Sequence, residues 1–367
     1  MTTQSLAPLF DDSRVDALSK QLTNVFNNSA LSLMVSIGHR TRLFDVLALL
    51  PPATSEQVAH AAGLQERYVR GWLNVMVVGN VLDYSPTDKT YHLPAEHAVL
   101  LTRAATTTNM AAIAQYIPVL ASAEDQIVQY FAEGSDVLHG EIHRFNEVVA
   151  EDNAQRVVAA LEDHILPLVP NVLDDLTLGI DVLHAECGRG HILNSLAQLF
   201  PNSQFTGYDL NEDAIAFATQ TAQYQQLQNV QFQVKDSTRL EDVEKYDLIT
   251  TFDTVHSQAR PDWLLRNIYN ALRPNGVYIM QEIHAASDVS ENLNHPLAPL
   301  LYTVSCMRSM AISPWEGKTN ASATGDLGEF IWGRERTLNM LENAGFTHIE
   351  IEQLPYDVIN DYYIARK

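Results

Sequence analysis

Along the first third of the chain, apolar positions recur every three or four residues, the spacing of one helical face. From about Gln21 to Leu50 the series runs through Leu33, Ile37, Leu43 and Leu47, and Pro51–Pro52 stops it. Residues 1–20 read as a loosely attached lead-in. Thr54 or Ser55 can cap a short helix carrying Val58 and Ala62, which Gly63 ends. A second helix, from about Gln65 to Val78, gathers Val69, Trp72, Leu73 and Met76 on one face. Two short runs, Val81–Tyr84 and Thr90–Leu93, flank the turn SPTDK as a hairpin. Helix, turn, helix and two-stranded wing predict a winged-helix module. Residues from about 100 to 170 stay helical in period.

From Ile180 the period changes. Asp181–His184, Gln204–Asp209, Val230–Val234, Asp247–Phe252 and Gly276–Glu282 read as strands separated by helical stretches. That alternation predicts an α/β fold with a parallel, doubly wound, Rossmann-like sheet. The tail HIEIEQLPYDVINDYYIARK adds two strand-like runs, expected as an antiparallel hairpin at one edge. The expected organisation is a mainly α winged-helix region at 1–100, a helical linker and substrate-pocket segment at 101–170, and the sheet domain at 171–367.

Composition narrows the partners. The 367 residues are 46% hydrophobic, enough for packed cores, yet no apolar stretch approaches the ~20 residues of a membrane span. The opening MTTQSLAPLFDDSR lacks the basic-then-apolar pattern of an export signal. Cys187 and Cys306 cannot build a disulfide framework and suit a reducing cytoplasm. No metal-type Cys/His spacing occurs, so no metal is expected. The formal net charge is −22, with 23 Lys+Arg against 45 Asp+Glu, which argues against nucleic acid or anionic membrane as partner. DNA reading also needs basic residues on the second helix and wing. Here the helix offers Arg67 and Arg70 beside Glu66, and the wing Lys89 beside Asp83 and Asp88. A packing and dimerisation module is the expectation, with a homodimer built on this region.

In a doubly wound sheet, ligands lie beyond the carboxyl ends of the strands. The first such end is HAECGRG, where Gly188 and Gly190 let backbone N–H groups approach a ligand. The second strand ends in Asp209, suited to accept from both hydroxyls of a ribose. The plainer alternative is a cap for the next helix, a job Asn211 can also do. The third ends in Asp236, suited to an adenine amino group or, more plainly, to a turn. The fourth ends in Phe252, Asp253 and His256.

Together these stretches resemble the class I S-adenosylmethionine-dependent methyltransferases, in order and spacing, over about residues 178–284. The winged-helix region resembles the N-terminal domain of small-molecule methyltransferases that dimerise through it. LRPNGVYIMQE and LENAGFTHIEIE are the most family-like phrases. The resemblance implies S-adenosylmethionine as cofactor and a small molecule as acceptor. It implies a glycine loop at His184 to Gly190 around the methionine end, with Asp209 on the ribose and Leu210 beside the adenine. It further implies Asp236 with Ser237 at the adenine amine, and Phe252 and Asp253 lining the cofactor. His256 aligns with the general base of related O-methyltransferases, the alternative being a histidine that merely caps or packs.

Three positions depart from that family pattern. His184 stands where it has an acid, Glu186 where it has a small residue, and Ser257 where relatives often carry an acid. Glu186 demands space and a backbone angle that glycine takes cheaply. One account has Glu186 restore the missing negative charge and pair with the cofactor's ammonium. The other has it fill the pocket of a methyltransferase-fold protein that has abandoned methyl transfer for another ligand or reaction. A winged-helix regulator with a ligand-sensing domain is a third reading, disfavoured by the acidity. Tyr116, Phe145, His295, Tyr302, Met307, Met310 and Trp332 are candidates to line an apolar acceptor pocket, or ordinary core.

Overall fold

The computed structural model describes residues 11–133, 142–258, 260–309 and 331–367. The chain divides into two compact units, Met1–Ala105 with Asn109–Pro118, and Thr106–Thr108 with Val119–Lys367. No helix among the described residues is long and apolar enough to cross a membrane.

The first unit opens with α1 (Asp12–Arg40), capped by Asp11, whose carboxylate accepts from the Ser13 N–H. The expected lead-in is therefore helical from Asp12 onward, and residues 1–10 lie outside the described residues. Nothing in α1 before Ser36 is buried, so no core imprinted a readable start. The single helix expected to reach Leu50 instead breaks at Arg42, which takes φ 61° ahead of α2 (Leu43–Leu49). Thr54 caps α3 (Ser55–Ala62) in a reciprocal pair with Gln57, and Gly63 closes it at φ 66°. After α4 (Glu66–Val78), β1 (Asp83–Ser85) and β2 (Thr90–His92) pair antiparallel as the wing. Two short helices follow, α5 (Ala95–Leu101) and α6 (Met110–Ile113). Phe44, Leu47, Val58, Leu73 and Met76 bury themselves around Trp72, whose indole N–H donates to Met34 O at 2.8 Å. The next helix in sequence is α7 (Tyr116–Ala121).

The second unit contains α8 (Glu124–Glu133), α9 (Phe145–Arg156) and α10 (Val172–Leu178) ahead of the sheet. The sheet region runs β3 (Asp181–Ala185), α11 (His191–Leu199), β4 (Gln204–Asp209), α12 (Glu212–Tyr224), β5 (Val230–Val234) and β6 (Tyr246–Phe252). It continues with α13 (Pro261–Ala271), β7 (Leu272–Ile283), α14 (Ala298–Val304), α15 (Arg334–Ala344), β8 (His348–Glu352) and β9 (Asn360–Arg366). The strand order is β5-β4-β3-β6-β7-β9-β8, parallel except that β9 runs antiparallel to both neighbours. The expected edge hairpin is present, with β8 outermost.

Alternation along the strands sorts residues onto two buried faces. Val182, Leu248, Ile279 and Ile364 join Leu176, Leu193 and Leu196 from α10 and α11. Leu183, Ile249, Tyr278 and Tyr363 join Leu264, Leu265 and Ile268 of α13 and Leu341 of α15. The chain steps outward from β3 to β5, then returns to the other side of β3 as β6. That reversal leaves a crevice at the carboxyl ends of β3 and β6, where loops diverge and a ligand can sit.

Candidate functional site

The loop after β3 is built on three left-handed residues: Glu186 at φ 60°, Gly188 at φ 52° and Gly190 at φ 70°. A side chain at Gly190 would sit 2.6 Å from Ala218 and from the Phe232 ring, so the start of α11 requires glycine there. A side chain at Gly188 would meet nothing within 4 Å. The loop is therefore tight beneath and open above. Glu186 holds its angle without glycine's freedom, a strain of about 1–2 kcal/mol.

His184, in β3, does not face the cleft as a charged group. Its Nδ1 lies 2.8 Å from Thr250 Oγ1 and 3.1 Å from Thr250 O on β6, and its ring stands 5.4 Å from that of Phe252. Burial pushes its pKa down to about 4, so the imidazole is neutral near pH 7. Glu186 shows the opposite shift for the same physical reason. Burial raises its carboxyl to about 7; hydrogen bonds from Ser237 and Gln258 oppose this, and Asp209 and Asp236 add to it. Glu186 Oε1 is buried with no hydrogen-bond partner.

Asp209 ends β4. Its Oδ2 accepts from the Gly188 N–H and its Oδ1 from the Asn211 N–H, each at 2.8 Å. Asn211, not Asp209, caps α12, accepting from the Ala214 N–H at 3.0 Å. Leu210 beside it is 59% exposed. Asp236 caps the short turn Ser237–Arg239, accepting from the Thr238 N–H at 2.9 Å and its hydroxyl at 2.6 Å. Its second oxygen lies 3.3 Å from the exposed Arg239. The turn role weighed for Asp236 is thus occupied, and the carboxylate retains lone pairs for a ligand.

Phe252, the last residue of β6, is buried, and Asp253 just beyond it takes φ 54°. Burial pushes the Asp253 carboxyl up to about 6, His256 and Arg156 pull it down, and Glu282 and Asp152 push it further up. Its Oδ1 is buried without a hydrogen-bond partner. His256 sits in the turn Val255–Ser257 and is 6% exposed. Glu282, near the end of β7, grips that turn from below. Its Oε1 accepts from the backbone N–H of Val255 at 2.8 Å and of His256 at 3.3 Å, and its Oε2 lies 2.7 Å from His256 Nδ1. A carboxylate only accepts, so Nδ1 carries the hydrogen and Nε2 becomes the basic nitrogen. Burial alone would lower the His256 pKa, but the charge and hydrogen bond of Glu282, joined by the charge of Asp253, more than offset it and raise it. Ligand-capable atoms of Asp253, His256 and Glu282 lie within 4.8 Å of one another, a grouping compact enough for a metal ion. The short Nδ1–Oε2 bond already pairs two of the three.

Of the acceptor-side candidates, Trp332 meets His256 edge-on at 6.5 Å, and its Nε1 is buried without a partner. Phe145 stacks under Arg308, His295 faces His284 at 5.3 Å, and Tyr302 OH takes a bond from Asn292. Tyr116 belongs to the first unit. Met307 lies in the turn after α14, and Met310 lies outside the described residues. Glu282 was not singled out from sequence, although the rule that exposed the other acids, position at a strand's carboxyl end, applies to it equally.

Two family models match the chain. The first, an Rv2258c-like winged HTH domain, covers residues 29–103, and the second, a methyltransferase domain, covers 176–345. Among curated proteins, the malonyl-[acyl-carrier protein] O-methyltransferase of Bacillus cereus is 31% identical over 152 residues, 39% of this chain and 55% of that protein. The chain spans about half the length of the first curated relatives it matches. Among solved structures, human N-acetylserotonin methyltransferase in complex with S-adenosylmethionine is similar at a TM-score of 0.66 and 16% identity, covering 99% of each chain. The mitomycin 7-O-methyltransferase is similar at 0.65 and 16%, covering 97% of this chain and 100% of that one. At such identities these likenesses speak for the fold.

Proposed function

We propose that this chain, which belongs to the methyltransferase-domain proteins with an N-terminal winged helix, transfers a methyl group from S-adenosylmethionine to a hydroxyl of a small-molecule acceptor. The observation that carries this reading is a buried histidine, His256, held by Glu282 beside a cleft lined with hydrogen-bond acceptors. The cofactor presents ribose hydroxyls, an adenine amine and an ammonium, all donors. The cleft answers with the carboxylates of Asp209 and Asp236, the buried Ser237 hydroxyl beside Glu186, and open space over Gly188. These residues fit the group. Asp209 would hold the ribose, Asp236 and Ser237 the adenine amine with Leu210 alongside, and the backbone of Gly188 and Gly190 the methionine end. Phe252 and Asp253 would line the cofactor at the end of β6.

When bound, the cofactor supplies an electrophilic methyl group on a positively charged sulfur. His256 removes the acceptor's hydroxyl proton at Nε2, and Glu282 fixes the ring and stabilises the imidazolium that forms. Because Glu282 raises the His256 pKa, the neutral base appears only above the ordinary value near 6.5. The acidic limb of a pH–rate profile should therefore lie above pH 6.5. Glu282→Gln keeps an acceptor but removes the larger of the two charges that raise the pKa, the other being Asp253, so the limb should move to lower pH. A limb that stays in place in the variant would detach Glu282 from the base.

The winged-helix region serves assembly in this reading, and the protein works in the cytoplasm on a small molecule, without nucleic acid. Arg70, one of the few basic residues on α4, pairs with Glu66 at 3.4 Å. Val15, Leu18, Leu22, Val25 and Leu33 are exposed along α1, mostly three or four residues apart, a seam that a second copy would cover. Sedimentation should show a dimer at micromolar concentration, and Leu18→Glu with Leu22→Glu should give monomers. A monomeric parent would remove the claim.

A further inference from the structure

We propose that Trp332 determines which acceptor is taken, its indole N–H donating to a second polar atom of the molecule whose hydroxyl His256 deprotonates. The inference rests on the methyl-transfer reading and adds a substrate class to it: a hydroxylated ring that carries another oxygen on the same ring.

Trp332 is 5% exposed, and its ring stands edge-on to that of His256, with 6.5 Å between centroids and 87° between planes. Its Nε1 is buried and has no hydrogen-bond partner among the described residues. A buried indole N–H ordinarily finds one. Among the other described tryptophans, buried Trp72 donates its N–H to Met34 O at 2.8 Å, and Trp263 is 51% exposed. Packing accounts for the Trp332 ring, which joins the cluster of Leu264, Leu265 and Ile268. It does not account for the nitrogen. A phenylalanine would pack there and leave no donor bare.

The donor is also held still. Trp332 O accepts from Ser287 Oγ at 2.9 Å, and Glu335 Oε2 accepts from the Ser287 N–H at 3.0 Å. Gly333, at φ 80°, lets the chain press against Ser287, where a side chain would lie 2.2 Å from the backbone nitrogen. The Arg334 N–H donates to Ala285 O at 3.0 Å, and its guanidinium holds both oxygens of Asp361 at 2.6 and 2.7 Å. Asp361 is the register partner of Glu282, the residue that grips His256. Indole and imidazole are therefore anchored to neighbouring positions of β7 and β9, the kind of support a recognition site needs.

A fixed donor beside a general base selects a ligand that satisfies both. The reacting hydroxyl goes to His256 Nε2, and the indole N–H asks the same small molecule for a lone pair. A carbonyl, ether or second hydroxyl oxygen supplies it. A ligand without that oxygen leaves the buried N–H unpaired, the form of discrimination that polar sites exert most strongly.

The test is ligand-observed NMR titration of the full chain, saturated with S-adenosylhomocysteine, with two matched pairs of probes. 2-Methoxyphenol and 3-methoxyphenol carry the second oxygen, and 2-ethylphenol and 3-ethylphenol replace it with a methylene of similar size. The parent should bind at least one methoxy probe about five- to tenfold more tightly than its ethyl twin. Trp332→Phe keeps a ring beside His256 and should erase that preference. Its S-adenosylhomocysteine affinity should stay within about twofold of the parent, which also reports a folded variant. A parent that binds both twins equally, or neither pair, would overturn the proposal without recourse to any variant. So would a preference that survives in Trp332→Phe, or equal weakening of both twins there, the mark of a residue that only packs. A parent that fails to bind S-adenosylhomocysteine sinks the methyl-transfer reading and this inference with it, whereas one that binds it without the oxygen preference sinks the inference alone.

Discussion

His256→Gln should lower methyl transfer by about 10²–10⁴-fold while leaving S-adenosylhomocysteine affinity within about twofold of the parent, the loss typical of a removed general base. Glutamine can still donate an amide N–H to Glu282, so the buried carboxylate is not left bare and the Val255–Ser257 turn keeps the grip of Glu282 Oε1. What disappears is the basic Nε2. Formation of S-adenosylhomocysteine, followed with any acceptor that the parent methylates, gives the rate, and titration gives the affinity. A variant turning over at the parental rate would move the base elsewhere, and one that lost cofactor affinity as well would make His256 a structural residue.

Asp209→Ala should weaken S-adenosylhomocysteine binding by about 1.5–3 kcal/mol, or about 10–150-fold, the range for hydrogen bonds to a charged group. The carboxylate does two things at once. It anchors the Gly188 N–H of the loop at 2.8 Å and stands at the carboxyl end of β4 where a ribose would lie. Because Asn211 caps α12, the substitution leaves that helix its cap, and melting of the variant should stay close to the parent. Unchanged affinity would take Asp209 out of the cofactor site.

Much of this architecture is written in the hydrophobic pattern. β4 and β5 fall on Gln204–Asp209 and Val230–Val234, where the sequence reading puts them, because β4 is a short buried run and β5 an alternating edge run, each closed by turn residues. The acids of the cleft were equally visible, since chemistry in such sheets collects at strand ends. The start of α1 was not, because its first two dozen residues bury nothing. Arg42 broke a helix that periodicity alone would carry to Leu50, through an angle that no apolar pattern encodes.

Glu282 was hidden for another reason. It closes the expected strand Gly276–Glu282, but its neighbours in the run VYIMQEI read as core, and only the pairing of β6 with β7 brings it to a histidine 26 residues away. The use of His184 was likewise invisible, because its partner Thr250 lies 66 residues on, across the β3–β6 register. In Glu186 the sequence showed the departure from a glycine and the structure showed its cost, a left-handed angle and an unpartnered buried oxygen.

The central claim is that the crevice at β3 and β6 still takes an adenosyl cofactor although His184 and Glu186 depart from the family pattern. Calorimetric titration of the unmodified chain with S-adenosylmethionine and S-adenosylhomocysteine tests it most directly. Saturable binding of both, at one site per chain and competitive with each other, is the predicted result. A chain that gives no saturable heat with either ligand, while remaining folded, would contradict the account.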